Sequence, residues 1–400
     1  MSRPDYDLVI AGAGMVGLGL AAALHGSGLR LAVLDARPPE RWRGGAFDLR
    51  VSALNLASQA LLQEWNAWDA IAGGRTGAFH RIQVRDAVGG GQVEFDAADL
   101  GTALLGHIVE NSLVQTALLD RLGADPDTSL LFPARVEAWS ARPAGLELTL
   151  ADGRRLHSRL LVGADGAGST VRKLAQIPVS GRGYQQQGLV AAIDCERPHG
   201  GTARQVFLPG GPLALLPLAG GGCSIVWSLP EADARERLQW PRARFIEALT
   251  RASGAPLGQV VNCGPRAAFP LRRLHAGRYI GERLALVGDA AHVIHPLAGQ
   301  GVNLGFRDAA VLAEELRRAA ATGRDPGGPR GLSAYQRRRR EDNLTMQWAM
   351  EGFHRLFVDA DPWLARLRSA GFQLTDALAP VKREFMRQAT GLGVDGRLRL

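Results

Sequence analysis

Lysine is nearly missing: Lys173 and Lys382 stand against 45 arginines spread along all 400 residues. The formal charge of +8 therefore reflects an arginine usage typical of a GC-rich genome and marks no nucleic-acid surface. The one dense run, Arg337 to Arg340, is followed at once by Glu341 and Asp342 and has no interleaved aromatics, so it predicts a solvated helix face. Cysteine is scarce too. Cys195, Cys223 and Cys263 have neither CxxC spacing nor a histidine partner at ligand spacing, which excludes a disulfide framework and a metal site and predicts buried thiols. No nucleophile elbow, internal repeat or low-complexity tract is present. No run of eighteen apolar residues exists outside the glycine-rich stretch 8–24, and Asp5 and Asp7 stand where a leader would be basic. The expectation is an unprocessed cytoplasmic chain.

What is present is glycine, at particular places. Asp7-Leu-Val-Ile reads as a short strand, and Gly12-x-Gly14-x-x-Gly17 allows a tight turn, backbone approach to a pyrophosphate and close packing of a helix over Val16–Leu24. A second strand, Leu31–Leu34, ends at Asp35, about where a carboxylate binds a ribose hydroxyl. Further on, Leu284–Val287 reads as a buried strand ending in Gly288-Asp289. Pro296 and Gly299-Gln300-Gly301 then open a helix through Leu304, Ala309, Leu312 and Leu316, whose N–H groups suit an electron-rich ring. Residues 161–173 place Asp165-Gly166 before a helix capped by Ser169. Arg50 precedes a predicted helix, from which its guanidinium could clamp cofactor phosphates.

These four pieces, with RVSALNLAS (50–58), GHIVEN (106–111), ARQVF (203–207), CSIVWSL (223–229) and HPLAGQGVNLGFRDA (295–309), resemble the single-component FAD-dependent aromatic hydroxylases of the para-hydroxybenzoate hydroxylase fold. Within them the chain looks most like the ubiquinone-biosynthesis branch, and in that branch like the 2-polyprenylphenol hydroxylases acting at ring carbon C5. The resemblance runs from Tyr6 to about Leu392. It implies that Gly12, Gly14, Gly17 and Asp35 hold the ADP half of FAD and Arg50 the pyrophosphate. Gly288 and Asp289 would take the ribityl or ribose part, while Pro296, Gly299, Gln300 and Gly301 line the isoalloxazine and form the catalytic environment. Asn111 is implied near the cofactor, although helix capping explains it equally well. Asp165 is implied to serve both FAD and the nicotinamide co-substrate. The implied chemistry is reduction by NAD(P)H in the same cavity, a C4a-hydroperoxyflavin, and oxygen transfer to the phenol.

The implied fold class is α/β: a Rossmann-like FAD-binding domain from 1–75, 105–178 and 277–330, an inserted antiparallel-sheet substrate domain from 76–104 and 179–276, and a helical region over 331–400. Strands are expected over 79–84, 188–193, 204–208, 213–218 and 223–229. Their alternation suggests a substrate wall of Gln205, Phe207, Leu213, Leu215, Pro217 and Trp227. In the tail, Leu344, Trp348, Phe353, Leu356, Phe357, Trp363, Leu364 and Leu367 predict a core-packing helical face. No base for the phenol announces itself. Tyr184 and His295 are candidates better read as structural groups, and His292 and His295 read as hydrogen-bonding spacers of the cofactor loop. The implied partners are a polyprenylated phenol, other ubiquinone-biosynthesis proteins and a transient contact peripheral to the inner membrane. Three rivals stay open: a hydroxylase of another ring position or a small soluble aromatic, a prenyl-lipid flavoprotein that inserts no oxygen, and a non-catalytic FAD-binding scaffold.

Overall fold

The computed structural model describes residues 4–294, 301–358 and 379–392. Its first apolar run forms β1 (Tyr6–Ala11), buried from Asp7 onward because parallel neighbours lie on both sides. Those neighbours are β2 (Leu31–Leu34) and β11 (Arg155–Gly163). Beyond β2 lies β8 (Thr128–Leu131), and beyond β11 lie β18 (Leu284–Leu286) and the short edge strand β17 (Ile280–Gly281). An antiparallel pair, β9 (Val136–Arg142) and β10 (Gly145–Leu150), branches from β11. Helix α1 (Met15–Ala23) packs between α4 (Asn111–Gly123) and α8 (Gly301–Ala321), and the three bury a continuous apolar core on this sheet. The strand, glycine turn, helix and strand expected over 7–34 are all there.

A second sheet runs in the order β19 (His292–Val293), β16 (Val260–Ala276), β12 (Val179–Cys195), β15 (Cys223–Pro230), β14 (Gly211–Pro217), β13 (Thr202–Leu208), β5 (Arg81–Asp86) and β6 (Gln92–Asp96). It is mixed where the sequence suggested antiparallel throughout, since β13 and β5 pair in parallel. The chain reaches β5 from a separate small sheet of β3 (Val51–Asn55), β7 (Gly106–Glu110) and β4 (Thr76–Phe79). The single strand expected over 79–84 is thus two strands in different sheets. The His80 N–H donates to the Gly201 carbonyl at 2.9 Å and turns the chain from one sheet into the other. The division expected at 75/76 likewise falls beside β4, which pairs with β7.

Helices α2 (Leu56–Glu64) and α3 (Trp68–Ala72) follow β3, and α5 (Thr170–Leu174) follows β11. One face of the second sheet is covered by α6 (Glu231–Gln239) and α7 (Arg242–Ser253), whose Ala234, Phe245 and Leu249 are buried against it. The chain then runs through α9 (Pro329–Val358) and α10 (Ala379–Thr390). The inward face of α9 differs from the apolar one expected. Tyr335, Arg339, Asn343, Gln347 and Glu351 recur every fourth residue and are all buried, whereas Trp348 is 62% exposed. These polar groups are buried because each finds a partner on another element: Tyr335 donates to the Leu286 carbonyl at 2.6 Å and Gln347 to the Leu274 carbonyl at 2.8 Å, and the partners of Arg339, Asn343 and Glu351 are described below. Trp363, Leu364 and Leu367 lie outside the described residues, as do the side chains of Phe353, Leu356 and Phe357. Among the described residues no helix is long and apolar enough to cross a membrane.

Candidate active site

The turn at 12–17 is shaped by contacts that only glycine permits. A Cβ at Gly12, where φ is +115°, would lie 2.3 Å from the Ala164 carbonyl oxygen, and one at Gly17 would lie 2.0 Å from the Gly12 carbonyl oxygen. These approaches lock the turn onto the strand that carries Asp165. Gly14 is different: a Cβ there meets nothing within 4 Å. It is the N-cap of α1, a helix with no side-chain cap and no acidic residue in its first turn. An uncapped positive helix end with open space beside a glycine fits a pyrophosphate. Asp35 organises the same turn, accepting the Ala13 N–H at 2.9 Å and the Arg37 N–H at 3.1 Å.

Three separate segments meet at Val16. Gly288 (φ +58°) and Gly305 both pack on its methyl groups, with built Cβ positions 3.2 and 2.5 Å away. The helix after Gly301 is therefore drawn against α1 and the Gly288-Asp289 turn. Asp289 is exposed, yet desolvation raises its carboxyl above the ordinary range, an effect partly offset by the charges of His292, Arg50 and Arg272. The residue stands exposed between the buried Gly288 and Ala290. Such a carboxylate suits the hydroxyls of a ribose or ribityl chain.

Asp165 serves its own helix. Its carboxylate accepts the N–H groups of Thr170 and Val171 at 2.7 and 3.1 Å and the Ser169 hydroxyl at 2.5 Å, while Ser169 caps α5 as expected. Arg172 of that helix is buried and donates to the Ala290 carbonyl at 2.7 Å and the Ala167 carbonyl at 2.8 Å, tying the DG segment to the GD turn.

Arg50 corrects an expectation. It precedes a strand, β3, because residues 51–55 pair with β7; the helix begins only at Leu56. Its guanidinium lies 5.5 Å over the exposed ring of Phe269 on the second sheet, and its charge is felt at Asp289. The loop leading to it is tightly held. Buried Glu110 accepts from Arg75, from the Trp42 indole at 3.1 Å and from the Asp48 N–H at 2.9 Å, while Arg75 stacks 4.2 Å over Phe47. Asn111 does not cap α4. Asp48 does, accepting the Ser112 N–H at 2.9 Å, and the Asn111 side chain instead accepts the Ser52 hydroxyl at 2.7 Å.

The expected substrate wall divides between two faces. Leu213, Leu215 and Trp227 are buried beneath α6 and α7, with Trp227 6.4 Å from Phe245 and Arg237 stacked over it. Pro217 follows their alternation along β14. Gln205 and Phe207 share the opposite face with Ala203, where Ile82, Ala192 and Leu216 form a cluster with Val51, Ala53 and Met386 of α10. The error is one of parity, since alternate residues of a strand face opposite ways and apolar residues occur on both sides here. Toward the cofactor segments the sheet presents Ala192, Gln205, Leu216 and Phe269.

The Tyr184 hydroxyl donates to buried Glu351 at 2.8 Å, and burial, then that carboxylate, push its pKa above the usual phenol range. His292 is buried against Asp308. His295, Pro296, Gly299 and Gln300 lie outside the described residues. Burial pushes the Cys223 thiol up to about 12, and among the described residues no His, Cys, Asp and Glu grouping could hold a metal. The run Arg337–Arg340 is not wholly solvated, because Arg339 is 1% exposed and bonded to Asp308. Sequence inspection missed Asp308, Arg172, Asn303 and Phe269. For Asp308 a signal existed: it stands four residues from both Leu304 and Leu312, in the apolar stripe of α8. Asn303 accepts the Asn55 N–H and the Ser58 hydroxyl and donates to the Ala53 carbonyl, fixing the start of α8 to β3 and α2.

Residues 5–347 match the FAD binding domain family. The chain is 41% identical to the ubiquinone hydroxylase UbiL of Rhodospirillum rubrum, over 96% of this chain and 89% of that one. It is 36% identical to the 3-demethoxyubiquinol 3-hydroxylase of Escherichia coli, over 98% and 100%. In fold it is similar to the p-nitrophenol 4-monooxygenase PnpA of Pseudomonas putida, with a TM-score of 0.80, 22% identity and 99% of both chains covered. With the glycine turns, the uncapped helix and the exposed carboxylate of Asp289 in place, the chain belongs to the FAD-dependent hydroxylases of ubiquinone biosynthesis.

Proposed function

We propose that this protein uses FAD, NAD(P)H and O₂ to hydroxylate the ring of a polyprenylated phenol, at C5. The observation that carries the reading is the meeting of the Gly12–Gly17 turn, the Gly288-Asp289 turn and α8 on the single side chain of Val16. In this reading Gly14 and the N-terminus of α1 hold the pyrophosphate, Asp35 the adenosine ribose, and Asp289 the ribityl hydroxyls, with Arg50 as counter-charge. Bound there, FAD would supply the redox chemistry that couples oxidation of NAD(P)H by O₂ to hydroxylation of the ring. The protein's part is to bind, orient and exclude water. Gly301 and the other residues of the 296–301 segment line the flavin ring in this reading. Asp165 bears on the nicotinamide co-substrate through the α5 terminus that it stabilises.

The substrate is taken on the sheet face of Ala192, Gln205, Phe207 and Leu216. That face is apolar enough for a prenyl tail, and Phe269 at its margin stands beside Arg50. Substrate from a bilayer implies transient contact with the inner membrane and handover from other proteins of the pathway. Stimulation of turnover by liposomes tests the contact.

The deciding experiment is mass spectrometry of product formed by purified protein with FAD, NADPH, O₂ and a short-chain prenylphenol, with fragmentation to place the added oxygen. Oxygen at C5 supports the full proposal. Oxygen at another carbon retains the activity and replaces the position; preference for tail-less phenols overturns the substrate class.

A further inference from the structure

Asp308 is fully buried, and neither of its oxygens is idle. Oδ2 accepts the Gly288 N–H at 3.0 Å and Nε2 of His292 at 2.5 Å, and Oδ1 accepts Arg339 Nε at 2.8 Å and Asn343 Nδ2 at 3.1 Å. Arg339 also donates to Asn343 Oδ1 at 2.8 Å and to Asp342 at 3.0 Å, so the carboxylate is fixed from two directions by α9. One oxygen atom thus holds the residues on either side of the segment Asp289-Ala290-Ala291. Among the described residues the turn is also held through the backbone: the Ala290 carbonyl by Arg172, the Ala291 carbonyl by the Ala276 N–H at 2.8 Å, and His292 by its pairing with His275 between β19 and β16.

We propose that Asp308 is a positioning residue for FAD. It sets where the Asp289 carboxylate stands by suspending the Gly288–His292 turn from a charge that α9 locks in place. The inference rests on the reading that Asp289 contacts the cofactor. A buried ionic network is a poor way to gain stability, because apolar residues of the same volume often do as well or better. What this network provides is a fixed point. Two bonds to one oxygen, one at each end of the turn, leave it little freedom, and a carboxylate that receives four donors has no reason to rotate. Burial alone would raise its carboxyl pKa, but the charges of His292 and Arg339 outweigh that and keep it ionised.

The test is FAD affinity of the apo protein, from quenching of flavin fluorescence, measured beside its urea unfolding midpoint. His292→Leu removes one of the two donors to Oδ2, and His292→Gln keeps a donor. We expect His292→Leu to weaken FAD binding by about tenfold to a hundredfold, as when the group orienting a binding residue is lost. The apo midpoint should fall too, since a buried carboxylate loses one partner, but His292→Gln should restore most of the affinity, measured without urea where both variants are folded. Asp308→Asn should weaken binding at least as much; if it fails to fold, the His292 pair decides alone. Unchanged affinity in His292→Leu overturns the proposal, and so does a loss that merely follows the loss of stability and is not rescued by glutamine. Asp289→Ala separates the two levels: if it binds FAD normally, the underlying reading is wrong, whereas loss of FAD with His292→Leu unaffected removes only the role of Asp308.

Discussion

Leu215 and Leu216 are neighbours on β14 that face opposite sides of one sheet, so they separate folding from substrate binding with a single truncation each. Leu215 is 2% exposed, in the cluster beneath α6 and α7 with Phe245 and Leu249. Truncation to alanine there loses the transfer energy of the side chain and leaves a cavity between two rigid layers, at a cost of about 3 kcal/mol in the usual range for a core leucine. Leu216 is only partly buried, so Leu216→Ala should cost about 1 kcal/mol. If it lines the prenyl site, about 1 kcal/mol of apolar contact leaves the bound substrate as well, raising KM for a prenylated phenol about fivefold. Urea unfolding and steady-state hydroxylation of prenylated and tail-less phenols measure both effects. The expected pattern is crossed: Leu215→Ala lowers the unfolding midpoint with KM retained, and Leu216→Ala raises KM for the prenylated substrate alone. Leu216→Ala with normal KM, or Leu215→Ala with normal stability and raised KM, would refute the assignment of faces.

Gly17→Ala should prevent a stable fold, because its Cβ would sit 2.0 Å from a carbonyl oxygen, whereas Gly14→Ala should leave apo stability intact and lower FAD affinity; thermal melting and flavin titration distinguish them. His275 is buried, and burial, then the neighbouring His292, push its pKa down to about 4. A folded-state pKa below the unfolded value of about 6.5 means that stability is complete above pH 6.5 and is lost as pH falls toward 4, by about 3 kcal/mol. His275→Phe should flatten that slope in urea midpoints taken across the range. Arg75→Ala, by freeing the loop held around Glu110, should speed proteolytic cleavage within residues 42–48 and weaken FAD binding through Arg50. Equal cleavage rates in variant and parent would show that the loop is held elsewhere.

Much of the cofactor site was legible because its determinants are local. A glycine that must lie at positive φ, a strand of three buried aliphatics and a serine at a helix start each declare themselves within a few residues, and Gly12, Leu284–Leu286 and Ser169 did so. Arg50 misled because Val51–Asn55 is as apolar as a helix start, and only its pairing with Glu110–Gly106 makes it a strand. The substrate wall misled for a related reason. Strands with apolar residues on both faces carry no sign of which face meets a helix and which meets the cofactor.

The sequence by itself determined that a dinucleotide turn, a GD turn and their flanking strands and helices would form, since backbone sterics and short-range burial dictate them. Tertiary structure decided which side chains those turns face. Val16 joins its own turn to Gly288 and Gly305, which lie far along the chain, Asp308 becomes the anchor of the Gly288–His292 turn, and Leu216 rather than Leu215 lies on the face away from α6 and α7. Each depends on the register between elements distant in sequence, where a shift of one residue in a strand, or of a fraction of a turn in a helix, exchanges one neighbour for another.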